Sequence, residues 1–169
     1  TTVAISDYLM MIEKKTALLL AYSLRIGAYI AGASEQEQDA LFQYGRHIGI
    51  AFQIQDDVLD VYGDPSNFGK AIGGDICCNK KTFLLLTALD IADAESKAGL
   101  LQWLITSNKN AEKIQAVTAL YTQLGVREIG EAVMEDHTAQ ALAQLELLPQ
   151  NDYTNQLRVL AEKLATRKR

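Results

Sequence analysis

The sequence predicts an all-α protein, a bundle of helices with short connections and one long break. Three observations predict it. Apolar residues recur every three or four positions along most of the chain. No segment alternates apolar and polar residues in the manner of a half-buried strand. Two prolines and eleven glycines are few breakers for 169 residues, so long helices can run uninterrupted. With 49% hydrophobic and 22% charged residues, the composition excludes a disordered tail, a collagen-like rod and a disulfide scaffold. The length is that of one domain, able to bury a core without disulfide or metal staples.

The elements follow in order. Ser6-Asp7 is a helix-start signal, and from there Leu9, Ile12, Thr16, Leu19, Leu20, Ser23, Ile26 and Ile30 keep helical spacing up to Gly32, which fits a C-cap. Ser34-Glu35-Gln36-Glu37 reads as a capping box opening a helix over 35–62, stopped by Gly63-Asp64-Pro65. The long break covers 63–74 and is rich in glycine. A very apolar, central helix is expected over 81–91, then a short one near 94–104. A further helix, capped by Asn108 or Asn110, ends near Gly125. Another runs over 126–147 until Pro149, and the last over 152–165 before the basic tail Thr166-Arg167-Lys168-Arg169. No internal repeat or low-complexity segment interrupts this series.

Lys plus Arg number 16 and Asp plus Glu 21, a net charge of −5. That argues against nucleic acid as a partner, which needs a basic surface. It leaves room for a small anionic substrate held by a local basic pocket or a bound cation. The two cysteines, Cys77 and Cys78, are adjacent and match no zinc spacing, which suits a reducing cytosol, so a cytoplasmic location is expected. The apolar run at 17–23 is far short of the roughly 20 residues of a membrane span.

The chemistry concentrates between Gly45 and Thr82. Asp56, Asp57 and Asp60 form DDxxD at a helix end. Asp56 and Asp60 lie one turn apart on one face, with Gln53 and Gly49 on that face in earlier turns. Two such carboxylates can share Mg²⁺, which takes one or two carboxylates and keeps its other positions for water and phosphate oxygens. Alone, so short and common a pattern reads better as a solvated acidic helix end. The glycine-rich break carries Lys70 and then Gly73-Gly74-Asp75. Glycines let backbone approach a phosphate, but the P-loop pattern is absent, and a plain linker is the competing reading. Lys80-Lys81-Thr82 opens the apolar helix, where lysines oppose the helix dipole unless an anion sits there. Lys14-Lys15-Thr16 lies inside the first helix, where a lysine can also snorkel to the surface. Together the carboxylates, lysines and glycines describe a Mg²⁺-diphosphate site, and the apolar helices around it suit a hydrocarbon tail.

At this point the sequence resembles a known family. FQIQDDVLDVYGDP followed by GK-x-x-GGDI-x-x-x-K-x-T is similar to the second aspartate-rich region of the trans-isoprenyl diphosphate synthases, the farnesyl/geranylgeranyl diphosphate synthase family. The upstream YLMMIEKKTALLLAYSLRIGA is similar to that family's Y-x-x-M-I-x-x-K-T-A segment, so the match covers Tyr8–Leu86. The resemblance implies the isoprenoid-synthase helical fold and Mg²⁺ as cofactor. It also implies an allylic diphosphate and isopentenyl diphosphate as substrates, and a homodimer. It makes Asp56, Asp57, Asp60 and Asp75 the metal group, with Asp60 less direct and Asp75 orienting metal-bound water or a lysine. Lys15, Lys70 and Lys80 would contact the allylic diphosphate. Thr16 and Gln53 would turn oxygen dipoles toward an allylic cation, and Phe52 would lie where isopentenyl diphosphate stacks. Tyr44 and His47 receive no role, and His47 reads as a structural histidine.

The family carries a first DDxxD motif followed by an arginine pair, and nothing in 1–169 resembles it. The expectation is therefore that 1–169 is the C-terminal part of an isoprenoid-synthase domain, inactive alone. Two other readings stand beside prenyl transfer, a non-catalytic regulatory subunit of a prenyl synthase and a terpene cyclase on the same fold. The tail Arg167–Arg169 either closes over a second diphosphate or is a solvated end.

Overall fold

The computed structural model describes residues 3–64, 72–106 and 111–166. Every regular element among them is helical. The elements are α1 (Ile5–Ile12), a π-helical turn (Glu13–Ala17), α2 (Leu18–Ile30), α3 (Glu35–Tyr62), α4 (Gly74–Cys77), α5 (Phe83–Ile91), α6 (Ala94–Ile105), α7 (Ala111–Gln123), α8 (Val126–Leu145) and α9 (Asp152–Ala165). The all-α expectation is met, and the helix boundaries fall within a few residues of those read from the sequence.

Local chemistry explains most boundaries. Ser34 and Glu37 form the expected capping box: Ser34 N donates to Glu37 Oε2 at 2.7 Å, and Glu37 N donates to Ser34 Oγ at 3.3 Å. Gly32 adopts φ +77, the left-handed conformation that closes a helix. Asn151 caps α9, its Oδ1 accepting from Tyr153 N and Thr154 N. At the N-terminus, α1 starts at Ile5 rather than after Ser6-Asp7, because Asp7 reaches back to accept from Ala4 N at 3.0 Å. Two elements lie outside the sequence reading. The π-helical turn interrupts what periodicity reads as one helix, with Leu18 N donating to Glu13 O. The short α4 sits at the end of the glycine-rich break. Both proposed caps of α7, Asn108 and Asn110, lie outside the described residues.

The chain divides into two compact units. One combines Thr1–Tyr8 with Asp56–Glu131, the other Leu9–Gln55 with Ala132–Arg167. The core of the first unit is α5, in which Phe83, Leu84, Leu85, Leu86, Thr87 and Ala88 are all buried in succession. Gly130 of α8 lets this core close: a Cβ there would come within 3.2 Å of Val58 Cγ2 and 3.4 Å of Leu84 Cδ2.

In the second unit the π-helical turn and α2 meet α3 through small residues. A Cβ on Gly49 would stand 2.5 Å from the Ala17 Cα, and one on Gly45 would stand 2.8 Å from the Ala21 Cα. The backbones therefore touch, with Ala17 and Ala21 wholly buried. The other side of α3 packs Tyr44 and Ile48 against Ala141 and Leu145 of α8 and Ala161 of α9. Tyr44 OH donates to Leu157 O at 2.7 Å, satisfying the one polar atom of that ring.

His47 of α3 and His137 of α8 face each other in this unit with Nδ1 atoms 2.9 Å apart. One ring must donate and the other accept, so the two cannot both be protonated. Burial, with the His137 ring and Arg46 adding to it, holds His47 down to about 4, while Asp136 and Glu13 oppose the shift. This is a structural histidine pair, with the ordinary reading of His47 made specific.

Two outcomes follow from these contacts. Gly49→Val should destabilise the protein by about 1–3 kcal/mol, because the clash is with backbone. Gly27→Ala, where nothing lies within 4 Å of the added Cβ, should be neutral or stabilising, since alanine is the better helix former. Urea unfolding midpoints distinguish the two. Acidification from about pH 6.5 to about 4 should also lower stability, since the unfolded His47 takes up a proton that the folded ring refuses down to about 4. The slope of stability against pH in that window should flatten in His47→Asn.

Candidate functional site

The C-terminal end of α3 carries Asp56, Asp57 and Asp60. Helical geometry turns Asp57 inward, where only 2% of its surface is exposed. Three groups meet its carboxylate. Tyr8 OH and Phe83 N donate to Oδ2, the latter at 3.0 Å, and Lys80 Nζ stands 3.8 Å from Oδ1. Burial raises the Asp57 carboxyl above the usual carboxylate range, while the Tyr8 and Phe83 donors and Lys80 pull it back. Tyr8 is pushed well above the ordinary phenol by burial first and the Asp57 charge second, so it is a fixed donor. Its ring lies against Phe83, with centroids 6.3 Å apart.

Asp60, one turn on, serves α4. Its Oδ2 accepts from Asp75 N at 2.9 Å, and its carbonyl accepts from Gly73 N at 2.6 Å. Gly73 holds φ +76, and a Cβ there would strike Ile114 at 2.7 Å. This position needs glycine for both reasons. Asp75 in turn accepts from Lys80 Nζ through Oδ2 at 2.7 Å. Lys80 thus bridges Asp75 and Asp57. Partial burial opposes its charge, but the Asp75 and Asp57 carboxylates prevail and its pKa is raised, so it stays an ammonium.

The turn that delivers Lys80 is itself anchored. Asn79 adopts φ +52 and is braced on both ends of its amide. Its Nδ2 donates to Leu104 O at 2.9 Å, and its Oδ1 accepts from Lys113 Nζ at 2.6 Å. Lys113 also donates to Thr106 O at 3.2 Å and is 1% exposed. The expected helix start at Lys81 is corrected here by two residues. Thr82 is the N-cap, its hydroxyl accepting from Leu85 N, so Lys80 and Lys81 both precede α5.

The remaining residues lie in the second unit. Lys15 and Thr16 sit in the π-helical turn, Lys15 exposed and Thr16 partly buried. Thr16 Oγ1 donates to Gln53 Oε1 of α3 at 3.2 Å. Phe52, its neighbour on α3, is half-buried. Just before the lysines, Glu13 accepts from Arg46 Nε at 2.6 Å, which fixes the turn to α3. Lys70 and the tail Arg167–Arg169 lie outside the described residues.

A metal group made by the protein alone is not what the described residues provide. Among them no three carboxylates, histidines or cysteines are arranged to hold an ion. Asp57 spends its oxygens on Tyr8, Phe83 and Lys80, and Asp75 on Lys80. What remains compatible is a hard cation shared with substrate. Mg²⁺ needs only one or two protein carboxylates when phosphate oxygens and water complete its shell. Asp56 and Asp60, the latter already accepting from Asp75 N, would offer such a cation carboxylate oxygens.

Three participants escaped the sequence reading. Tyr8 was visible only as the first letter of a motif. Lys113 carried a signal, since it shares its helical face with buried Val117 and Tyr121, and a lysine on such a stripe needs a polar partner. Asn79 had none, because a left-handed asparagine does not show in spacing.

Comparison with known proteins adds the last observations. A family model described as polyprenyl synthetase matches residues 1–122. A short-chain isoprenyl diphosphate synthase of Methanothermobacter thermautotrophicus is 36% identical over 156 residues, 92% of this chain and 47% of that enzyme. A solved geranylgeranyl pyrophosphate synthase superposes with a TM-score of 0.89 at 35% identity, covering 99% of this chain and 53% of its own. A geranylgeranyl pyrophosphate synthase from Corynebacterium glutamicum, solved with isoprenyl diphosphate and magnesium, gives a TM-score of 0.88 at 35% identity, covering 96% of this chain and 47% of its own. The chain spans about half the length of the curated relatives it matches.

Asp57→Ala should cost about 3 kcal/mol, because it orphans the Tyr8 hydroxyl, the Phe83 amide and Lys80 together. Asp57→Asn should cost about 2 kcal/mol less than that, since an amide oxygen still accepts and no charge is buried. Chemical unfolding of the two variants side by side checks the order.

Proposed function

The chain belongs to the polyprenyl synthetase family, and from that membership we propose that it forms part of the active site of a prenyltransferase joining isopentenyl diphosphate to an allylic diphosphate. The observation that carries this reading is Lys80, held as an ammonium between Asp75 and the buried Asp57 of an aspartate-rich helix end.

The reaction breaks the bond between allylic C1 and a diphosphate oxygen, which leaves with both electrons. The double bond of isopentenyl diphosphate supplies the pair for the new carbon–carbon bond, and a proton is then lost. A divalent cation bound with the substrate supplies charge neutralisation for the departing diphosphate. Asp56 and Asp60 are the carboxylates assigned to that cation, which in this reading is Mg²⁺. Asp57 and Asp75 act through Lys80: they fix its Nζ, and a donor set in advance stabilises the leaving anion without reorganising. Lys15 and Lys70 are assigned to the same diphosphate. Thr16 and Gln53 are already paired, and their oxygen dipoles are assigned to the developing allylic cation. Phe52 is assigned to the isopentenyl side. A homodimer and a cytoplasmic location accompany this reading. Among the described residues no helix is long and apolar enough to cross a membrane.

The test grafts this sequence in place of the matching part of the Methanothermobacter enzyme. The chimaera should elongate an allylic diphosphate with isopentenyl diphosphate in the presence of Mg²⁺, and chelation should abolish turnover. Lys80→Ala should lower kcat/KM by about a hundredfold, the scale of one lost preorganised donor. The 169-residue chain alone should yield no product. A folded chimaera without elongation would overturn prenyl transfer and favour a regulatory subunit.

A further inference from the structure

Among the described residues Lys113 is the one buried lysine. It shares a face of α7 with buried Val117 and Tyr121, where a methionine would pack as well and carry no charge. An ammonium is costly in such a place, so its contacts are informative. Its Nζ donates to Asn79 Oδ1 at 2.6 Å and to Thr106 O at 3.2 Å. Those contacts tie α7, the end of α6 and the turn after α4 together at one point. Leu104 O, in the last turn of α6, accepts from Asn79 Nδ2 at 2.9 Å, so the Asn79 amide is held from both ends.

Asn79 immediately precedes Lys80. Its φ of +52 is a conformation that glycine adopts at lower cost, so what asparagine adds here is its side chain. From this turn Lys80 N donates to Asp75 O at 3.0 Å, and Lys80 Nζ reaches the Asp75 carboxylate at 2.7 Å and that of Asp57 at 3.8 Å. Yet 48% of the Lys80 side chain is open to solvent, which leaves the ammonium available to an anion. Asp75, Asn79, Lys80 and Lys113 line one cavity. We propose that Lys113 is a positioning residue for Lys80: through the Asn79 amide it fixes the backbone from which that ammonium extends. Lys113 itself touches no substrate. What Lys80 does rests on the prenyl-transfer reading above; how Lys80 is held does not.

Two variants separate this role from plain packing. Lys113→Met keeps the length and burial of the side chain and removes the donor. Asn79→Gly keeps the left-handed turn and removes the acceptor, and either variant suffices if the other does not fold. The first measurement needs no activity. In the 169-residue chain, the backbone amides of Lys80 and Thr82 should exchange hydrogen at least about tenfold faster in each variant, while those of Val117 and Tyr121 keep their rates. In the chimaera with the Methanothermobacter enzyme, each variant should lower kcat about tenfold and leave KM for isopentenyl diphosphate within about twofold, as for a displaced group. Added to Lys80→Ala, Lys113→Met should cost no further activity, because its effect passes through that ammonium. Unchanged exchange at Lys80 in the folded variants overturns the proposal, and so does a full further loss on top of Lys80→Ala. A chimaera that does not elongate, with the Lys80 amide still loosened in both variants, counts against prenyl transfer alone and supports the anchoring of Lys80 by Lys113.

Discussion

A carboxylate that is almost wholly buried must be surrounded by donors, and Asp57 collects them from three stretches of sequence. Tyr8 reaches it from α1, Phe83 from the first backbone amide of α5, and Lys80 from the turn between α4 and α5. Each interaction alone is modest; the constraint is that none can be removed without exposing the others to an unpaired buried charge. The start of the central helix, the rotation of α1 and the reach of Lys80 are therefore set by one side chain. The rest of the candidate site is arranged around this anchor: Asp60 fixes α4, α4 presents Asp75, and Asp75 takes the other side of Lys80.

The second unit solves a different problem, the close approach of two helices. Gly45 and Gly49 remove side chains where Ala21 and Ala17 arrive. This closeness lets a hydroxyl as short as that of Thr16 touch Gln53 on the neighbouring helix. The π-helical turn that carries Thr16 is braced by the ion pair of Glu13 with Arg46. Wider turns of this kind often occur at functional sites, and here one carries both Lys15 and Thr16.

Much of this was legible. The capping box at Ser34 and Glu37, the glycine stop at Gly32, the break after Tyr62 and the uniformly apolar α5 are local signals, and local signals decide helix ends. The DDxxD spacing and the two lysine segments located the candidate site in the chain. What the sequence left open is how the carboxylates divide their work. Three aspartates in one motif look equivalent on paper, yet burial gives Asp57 a role in holding donors and gives Asp60 a backbone amide. Nor did periodicity separate a π-helical turn from an α-helical one, because one extra residue displaces the pattern by less than the tolerance of the apolar stripe. The Lys113–Asn79 contact spans 34 residues and a left-handed backbone, neither of which leaves a mark in spacing.

The outward face of α2 has a consequence for the life of the polypeptide in a cell. Wherever that face stands uncovered, a row of leucine, isoleucine and tyrosine is open to water. Such surface invites chaperone capture, aggregation and proteolysis. A substitution far from the candidate site can then lower the amount of protein in a cell without touching its chemistry.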